Sequence, residues 1–76
     1  MPRLTPIFWR RLVRVFELDG FAVVRHEGDH LVLAKPGCKR PVVIPEWPEV
    51  PTFIIRNNMR SAGMSRERYF ELLAQC

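Results

Sequence analysis

Apolar residues recur every three or four positions near the start of the chain, a period that is typical of an amphipathic helix. The residues of this repeat are Phe8, Leu12, Val15 and Phe16, with Trp9 and Val13 beside them. Thr5 and Pro6 predict the start of the helix, because threonine can cap free amides and proline suits the first turn. Gly20 predicts its end, since glycine is common just past the last turn.

Three shorter apolar runs follow, and we expect them to be strands at Phe21–Arg25, His30–Lys35 and Arg40–Ile44. Gly28 lies in the first connection and can take the positive φ that a tight hairpin often needs. In the second strand, the period of two gives Leu31 and Leu33 one face, which we expect to meet the helices. The other face takes His30, Val32 and Ala34. One sequence does not fix strand register, so the inverted assignment stays open.

Residues 45–51 contain three prolines and predict an ordered connection without regular structure. A second helix is predicted from Pro51 or Thr52 to Gly63. Its apolar side consists of Ile54, Ile55, Met59 and Ala62. A short third helix follows Ser65, a good N-cap, and within it we expect Phe70 and Leu73 to be buried.

The element order predicts an α+β sandwich of two layers. A three-stranded antiparallel sheet carries both main helices on one face, with a short C-terminal helix added. At 76 residues, we expect residues 1–76 to form a single domain.

The chain is basic, with a net charge of +4 and a pI of about 9.8. This charge favours an anionic partner, nucleic acid first, although many small soluble domains are simply basic. Cys38 and Cys76 do not form a disulfide framework, and we expect reduced thiols in a cytoplasmic protein. From the sequence we expect no secretory signal and no membrane-spanning segment.

The sequence shows no metal-ligand spacing, and we expect no metal and no cofactor. Two histidines remain as candidates for chemistry, although each alone is typical of a protein surface. His26 lies in the approach to the hairpin turn, whereas His30 leaves the turn. The cations near it in sequence are Arg25, Lys35, Lys39 and Arg40. This combination suits metal-free RNA cleavage, because imidazole transfers protons near neutral pH and cations bind phosphates and offset their charge.

Several segments together have the order and spacing of a known family. They are Leu18–Phe21, Gly28-Asp29-His30, Lys35-Pro36-Gly37, Pro41–Pro45 and Asn58–Ser65. On these the chain resembles the HicA-type, or YcfA-like, toxins, small RNA-cleaving partners of HicB antitoxins. It departs from the family where Asp29 replaces a small polar residue, and where Glu46 and Trp47 replace a second histidine. Phe53 and Ile54 also replace a common Gly-Thr helix start.

The resemblance implies a fold like the double-stranded-RNA-binding domain, and a metal-independent mRNA endonuclease with His30 as its key residue. It also implies a HicB-like antitoxin partner, with the free toxin a monomer or small homo-oligomer. Two alternatives stay open on the same fold. One is a non-catalytic RNA-binding module in which His30 only contacts RNA. The other is a protein-interaction domain whose apolar sheet face binds a partner.

Overall fold

Three helices and three strands make up the computed structural model, which describes residues 3–76. They are α1 Trp9–Leu18, β1 Ala22–Glu27, β2 His30–Ala34, β3 Val42–Pro45, α2 Thr52–Ala62 and α3 Arg66–Leu73. The strands form one antiparallel sheet in the order β1-β2-β3. The predicted α+β class is confirmed, and the order of elements through α2 is that of a double-stranded-RNA-binding domain.

The hydrophobic core lies between one face of the sheet and the helices. Leu33 is fully buried in it and Leu31 partly, which confirms that the leucine face of β2 meets the helices. Burial of one leucine side chain contributes about 1.5–3 kcal/mol to folding. Further fully buried members are Val42 and Ile44 from β3, Leu12, Val15 and Phe16 from α1, and Ile55 from α2.

The opposite, outer face of the sheet carries an apolar strip. From β2 this face takes His30, Val32 and Ala34, as predicted. Val32 is itself buried, but its register partner Val43 is 40% exposed. Val24 is 57% exposed and is an extra residue in β1, where the register shifts between Val23 and Arg25. The outer face is therefore apolar and partly open: Val32 at its centre is buried, whereas Val24 and Val43 around it are exposed to solvent.

The first helix begins later than the sequence predicted. Ile7 instead forms an isolated bridge with Val50, with N···O distances of 3.3 and 2.8 Å. The N-cap is Phe8, half-exposed and without a side-chain cap, so the prediction that Thr5 caps this helix is wrong. The bridge keeps the backbone before Trp9 extended, and the helical period of the side chains does not reveal it.

The third helix confirms its predicted start and corrects its buried face. The Ser65 hydroxyl accepts a hydrogen bond from the backbone N–H of Arg68 at 3.1 Å. Tyr69 and Leu72 are the buried residues, whereas the predicted pair is only partly buried against the core. Burial raises the pKa of Tyr69 to about 12. No helix within residues 3–76 has both the length and the apolar character needed to cross a membrane.

Candidate functional site

The β1–β2 hairpin positions His30. Glu27 and His30 are register partners that close it, and Gly28 and Asp29 make the turn between them. Gly28 has a φ of +61°, whereas Asp29 does not have a positive φ. A positive φ at the first central residue alone is the pattern of a type II′ turn, which matches the twist of the strands. The turn therefore sets the direction in which His30 enters β2.

Asp29, His30 and Trp47 form a hydrogen-bonded array at the surface. Nδ1 of His30 lies 2.6 Å from Oδ1 of Asp29, and the indole N–H of Trp47 donates to Oδ2 of Asp29 at 3.1 Å. The pKa of Asp29 is lowered below its ordinary value. The larger cause is the hydrogen bond from Trp47, and the hydrogen bond from His30 is the next largest. An ionised carboxylate only accepts, so Nδ1 must carry the proton in this contact. In the neutral ring, Nε2 then keeps its lone pair and has no partner among the described residues.

The loop after β3 holds Trp47 beside this turn. The backbone N–H of Glu46 donates to the carbonyl of Asp29 at 2.7 Å, and the N–H of Trp9 donates to the carbonyl of Trp47 at 3.2 Å. The ring of Trp47 lies 6.3 Å from that of His30, with the two planes at 76°. Pro45 and Pro48 restrict the backbone on either side of this segment. The sequence indicated an ordered loop here, but not that it reaches the hairpin turn.

The two histidines lie on opposite faces of the sheet. His26 is the register partner of Leu31, on the helix-facing side, whereas His30 is the partner of Glu27. Nε2 of His26 contacts the carboxylate of Glu46. His26 therefore has its own partner and does not join the array around His30.

A single cavity of about 500 Å³ is lined by the three cations that follow β2, which are Lys35, Lys39 and Arg40. Its walls are residues 35–40, between β2 and β3, and residues 60–63, at the end of α2. Arg60 brings a fourth cation, which the sequence gave no reason to group with the others. In residues 3–76, Lys39, Arg40 and Arg60 form no ion pair. This cavity carries uncompensated positive charge and suits an anionic ligand.

The cavity is distant from His30. Lys35 follows the last residue of β2 and is five positions after His30, which at the rise of an extended strand is about 16 Å. Lys35 is also engaged, because its Nζ lies 3.4 Å from Asp19 and 5.5 Å from the centre of the Phe21 ring. The structure therefore does not bring these cations to an RNA phosphate that contacts His30.

Arg25 is the predicted cation that shares a face and an end of the sheet with His30. It lies on β1 opposite Val32, and its Nε is 2.9 Å from a carboxylate oxygen of Glu27. Both side chains of this pair are exposed, and such pairs contribute little to stability. A phosphate can therefore replace Glu27 as the partner of Arg25 at small cost.

No group of three or more His, Cys, Asp or Glu side chains in residues 3–76 is arranged to hold a metal ion. The polar groups near His30 are the Asp29 carboxylate, the Trp47 indole N–H and the Arg25–Glu27 pair. With these groups around it, the His30 ring can be held in one orientation and can transfer a proton.

Comparison with known proteins places the chain in a family. A family model described as the HicA toxin of bacterial toxin–antitoxin systems matches residues 9–64, from the start of α1 to just beyond α2. The match includes the hairpin, the Trp47 loop and every residue lining the cavity. No curated protein matches the chain.

Proposed function

The chain belongs to the HicA family of toxins from bacterial toxin–antitoxin systems, and from this premise we propose that it is a metal-independent mRNA endonuclease. His30 is its general acid–base residue. The observation that carries this role is the Asp29–His30 contact, which fixes the proton on Nδ1 and leaves Nε2 free to accept another. The His30 side chain is 41% exposed, so a substrate can approach it.

The proposed reaction uses the 2′-hydroxyl of RNA as the nucleophile. Nε2 of His30 takes the proton of this hydroxyl as the oxygen attacks the adjacent phosphorus. The bond from phosphorus to the 5′-oxygen breaks, and the imidazolium returns the proton to the leaving oxygen. The products are a 2′,3′-cyclic phosphate and a 5′-hydroxyl. Asp29 stabilises the imidazolium that forms in between, as the aspartate of a catalytic triad does.

The cavity cations act on RNA away from the cleaved bond. Lys39, Arg40 and Arg60 bind phosphates of neighbouring nucleotides, and Lys35 forms part of the cavity wall. Arg25 contacts the sugar–phosphate backbone of the RNA at a point closer to His30. Contacts of this kind position the strand and are sequence-independent. They increase affinity without taking part in the proton transfers.

A HicB-like antitoxin is the protein partner in this proposal, and the cytoplasm, where mRNA is found, is the site of action. The partly open outer face of the sheet favours such a partner. Val24 and Val43 are exposed there, on the same face as His30. An antitoxin that covers these valines also covers the proposed catalytic residue, which is the most direct form of inhibition.

Replacement of His30 by alanine tests the catalytic role, with His26→Ala as the matched control. His30→Ala should lower the rate of RNA cleavage by about 10²–10⁴-fold, the usual contribution of one acid–base group, and should abolish toxicity. Its melting temperature should stay near that of the parent, because the side chain is outside the core. His26→Ala should keep the parent rate. Cleavage should survive EDTA.

Two results would contradict the proposal. A folded His30→Ala protein that cuts RNA at the parent rate would show that another group transfers the proton. A parent protein that binds RNA but never cuts it would favour the non-catalytic RNA-binding module.

A further inference from the structure

Trp47 combines exposure with a fixed orientation. It is 38% exposed and is not part of the hydrophobic core. Large aromatic side chains usually dominate cores and interfaces, since each can bury much apolar area. Here the ring stays at the surface, next to the proposed catalytic histidine. Its position therefore suggests a ligand rather than a packing role.

The ring is held before any ligand arrives. Its indole N–H is bonded to Asp29, and its backbone carbonyl is bonded to the N–H of Trp9. Glu46, directly before it, is tied to the hairpin turn by its own N–H. A side chain already fixed in its binding orientation loses little conformational entropy on binding. Trp47 thus has the features of a preformed stacking surface.

The distance to His30 suits a nucleotide. The centres of the two rings are 6.3 Å apart, so a nucleobase on the indole keeps its own sugar and phosphate within reach of the imidazole. Proteins that bind single-stranded RNA commonly stack bases on aromatic side chains. We propose that Trp47 stacks on the nucleobase next to the cleaved phosphate and so places that phosphate at His30. This inference rests on the proposed endonuclease function.

We expect Trp47 to recognise the presence of a base more than its identity, because every base offers a π-face. A stacked base on an aromatic side chain typically changes affinity by roughly 5- to 150-fold. Removal of the base beside the cleavage site should therefore lower kcat/KM by this factor. Removal of a base several nucleotides away should have little effect.

Kinetics with paired substrates separate stacking from the hydrogen bond to Asp29. One RNA has all its bases, and its counterpart has an abasic residue beside the cleavage site. The parent and Trp47→Phe should both prefer the intact RNA, because each has an aromatic ring. Trp47→Leu should cleave the two at similar rates. A general loss of activity in both variants affects both substrates equally and leaves the preference readable. An equal preference in Trp47→Leu and the parent would overturn the inference.

Fluorescence gives a readout that does not depend on cleavage. The chain has two tryptophans, so Trp9→Phe leaves Trp47 as the only reporter. A 2′-O-methyl RNA lacks the attacking hydroxyl and should quench this fluorescence on binding. An abasic oligomer of equal length and charge should bind through its phosphates with little quenching. Equal quenching by both oligomers would overturn the stacking role.

The two proposals can fail separately. Quenching by bases in a protein that never cleaves RNA would support the stacking surface and reject the endonuclease. Normal cleavage with no effect of the abasic residue would support the endonuclease and reject the stacking surface.

Discussion

The carboxylate of Asp29 accepts a hydrogen bond from the indole N–H of Trp47 at 3.1 Å, although 18 positions separate the two residues in sequence. The other oxygen of this carboxylate contacts His30. One exposed acid thus connects the hairpin turn, the proposed catalytic base and the loop after β3.

The titration of Asp29 should report on this connection. Its pKa lies below the ordinary value of 3.8, first because Trp47 donates to the carboxylate and then because His30 does. Trp47→Phe removes the first of these donors, so the pKa of Asp29 should rise towards 3.8. NMR of the side-chain carboxyl carbon measures it. An unchanged midpoint would show that the indole bond does not form in solution.

The lowered pKa also fixes how stability depends on pH. The ionised form is favoured in the folded state, so its contribution is present above pH 3.8 and is lost as the pH falls through the lowered pKa. Any stability advantage of the parent over Asp29→Asn should therefore shrink in acid. Denaturant melts at neutral and acidic pH test this sign.

Asp29→Asn should slow RNA cleavage without abolishing RNA binding. Asparagine keeps the size of the side chain but loses the charge that orients the imidazole and stabilises the imidazolium. The loss in kcat can approach about 10⁴-fold, the effect of the same change in a catalytic triad. The dissociation constant for a non-cleavable RNA should stay near the parent value. An unchanged kcat would mean that His30 needs no orienting carboxylate.

Arg60→Gln should weaken RNA binding and flatten its dependence on salt. Each phosphate contact to a single strand contributes about 0.7 to the slope of log affinity against log salt concentration. Arg56→Gln is the matched control, since Arg56 lies on the same helix and does not line the cavity. Replacing Lys39 and Arg40 together removes two cations and should flatten the slope more than Arg60→Gln does. Equal slopes for the Arg60 and Arg56 variants would mean that the cavity does not hold RNA.

Binding of the antitoxin should protect the hairpin from hydrogen exchange. The protected segment should include residues 28–35, because it contains His30 and the rest of β2, the central strand of the sheet. Exchange followed by mass spectrometry, with and without the antitoxin, gives the comparison. Protection confined to α1 and α3 would place the inhibitory contact elsewhere.

Asn58→Leu should stabilise the fold. Asn58 is buried, and its Nδ2 has no hydrogen-bond partner among the described residues. An unsatisfied buried polar group costs about 1–3 kcal/mol, so its apolar replacement should raise the free energy of unfolding. Asn57→Leu is the control, because Asn57 is exposed on the same helix and gains the same helix propensity. A larger gain at Asn57 would contradict the argument.

Local signals in the sequence predicted the elements of this fold well. The helical repeat located α1, and glycine in a polar turn located the hairpin. The start of α1 was misplaced because Ile7 bridges to Val50, a residue distant in the chain. Such a contact leaves no trace in a local period, which by itself favoured a helix from Thr5.

The site was predicted only where its residues are neighbours in sequence. His30 and Asp29 are adjacent at one turn, so their closeness was visible there. The contribution of Trp47 was not, since it depends on how the loop folds back. The cations illustrate the opposite error, because Lys35 is near His30 in sequence but lies just beyond the far end of β2.

Both outer strands of the sheet bear features that hinder pairing with another chain. β1 is interrupted at Val24 and carries charged Arg25 and Glu27, while β3 is short, follows Pro41 and ends at Pro45. Interruptions, charges and prolines at strand edges oppose the edge-to-edge growth that leads to fibrils. The protein can therefore present exposed valines to a partner with little risk that its own copies polymerise through their strands during synthesis.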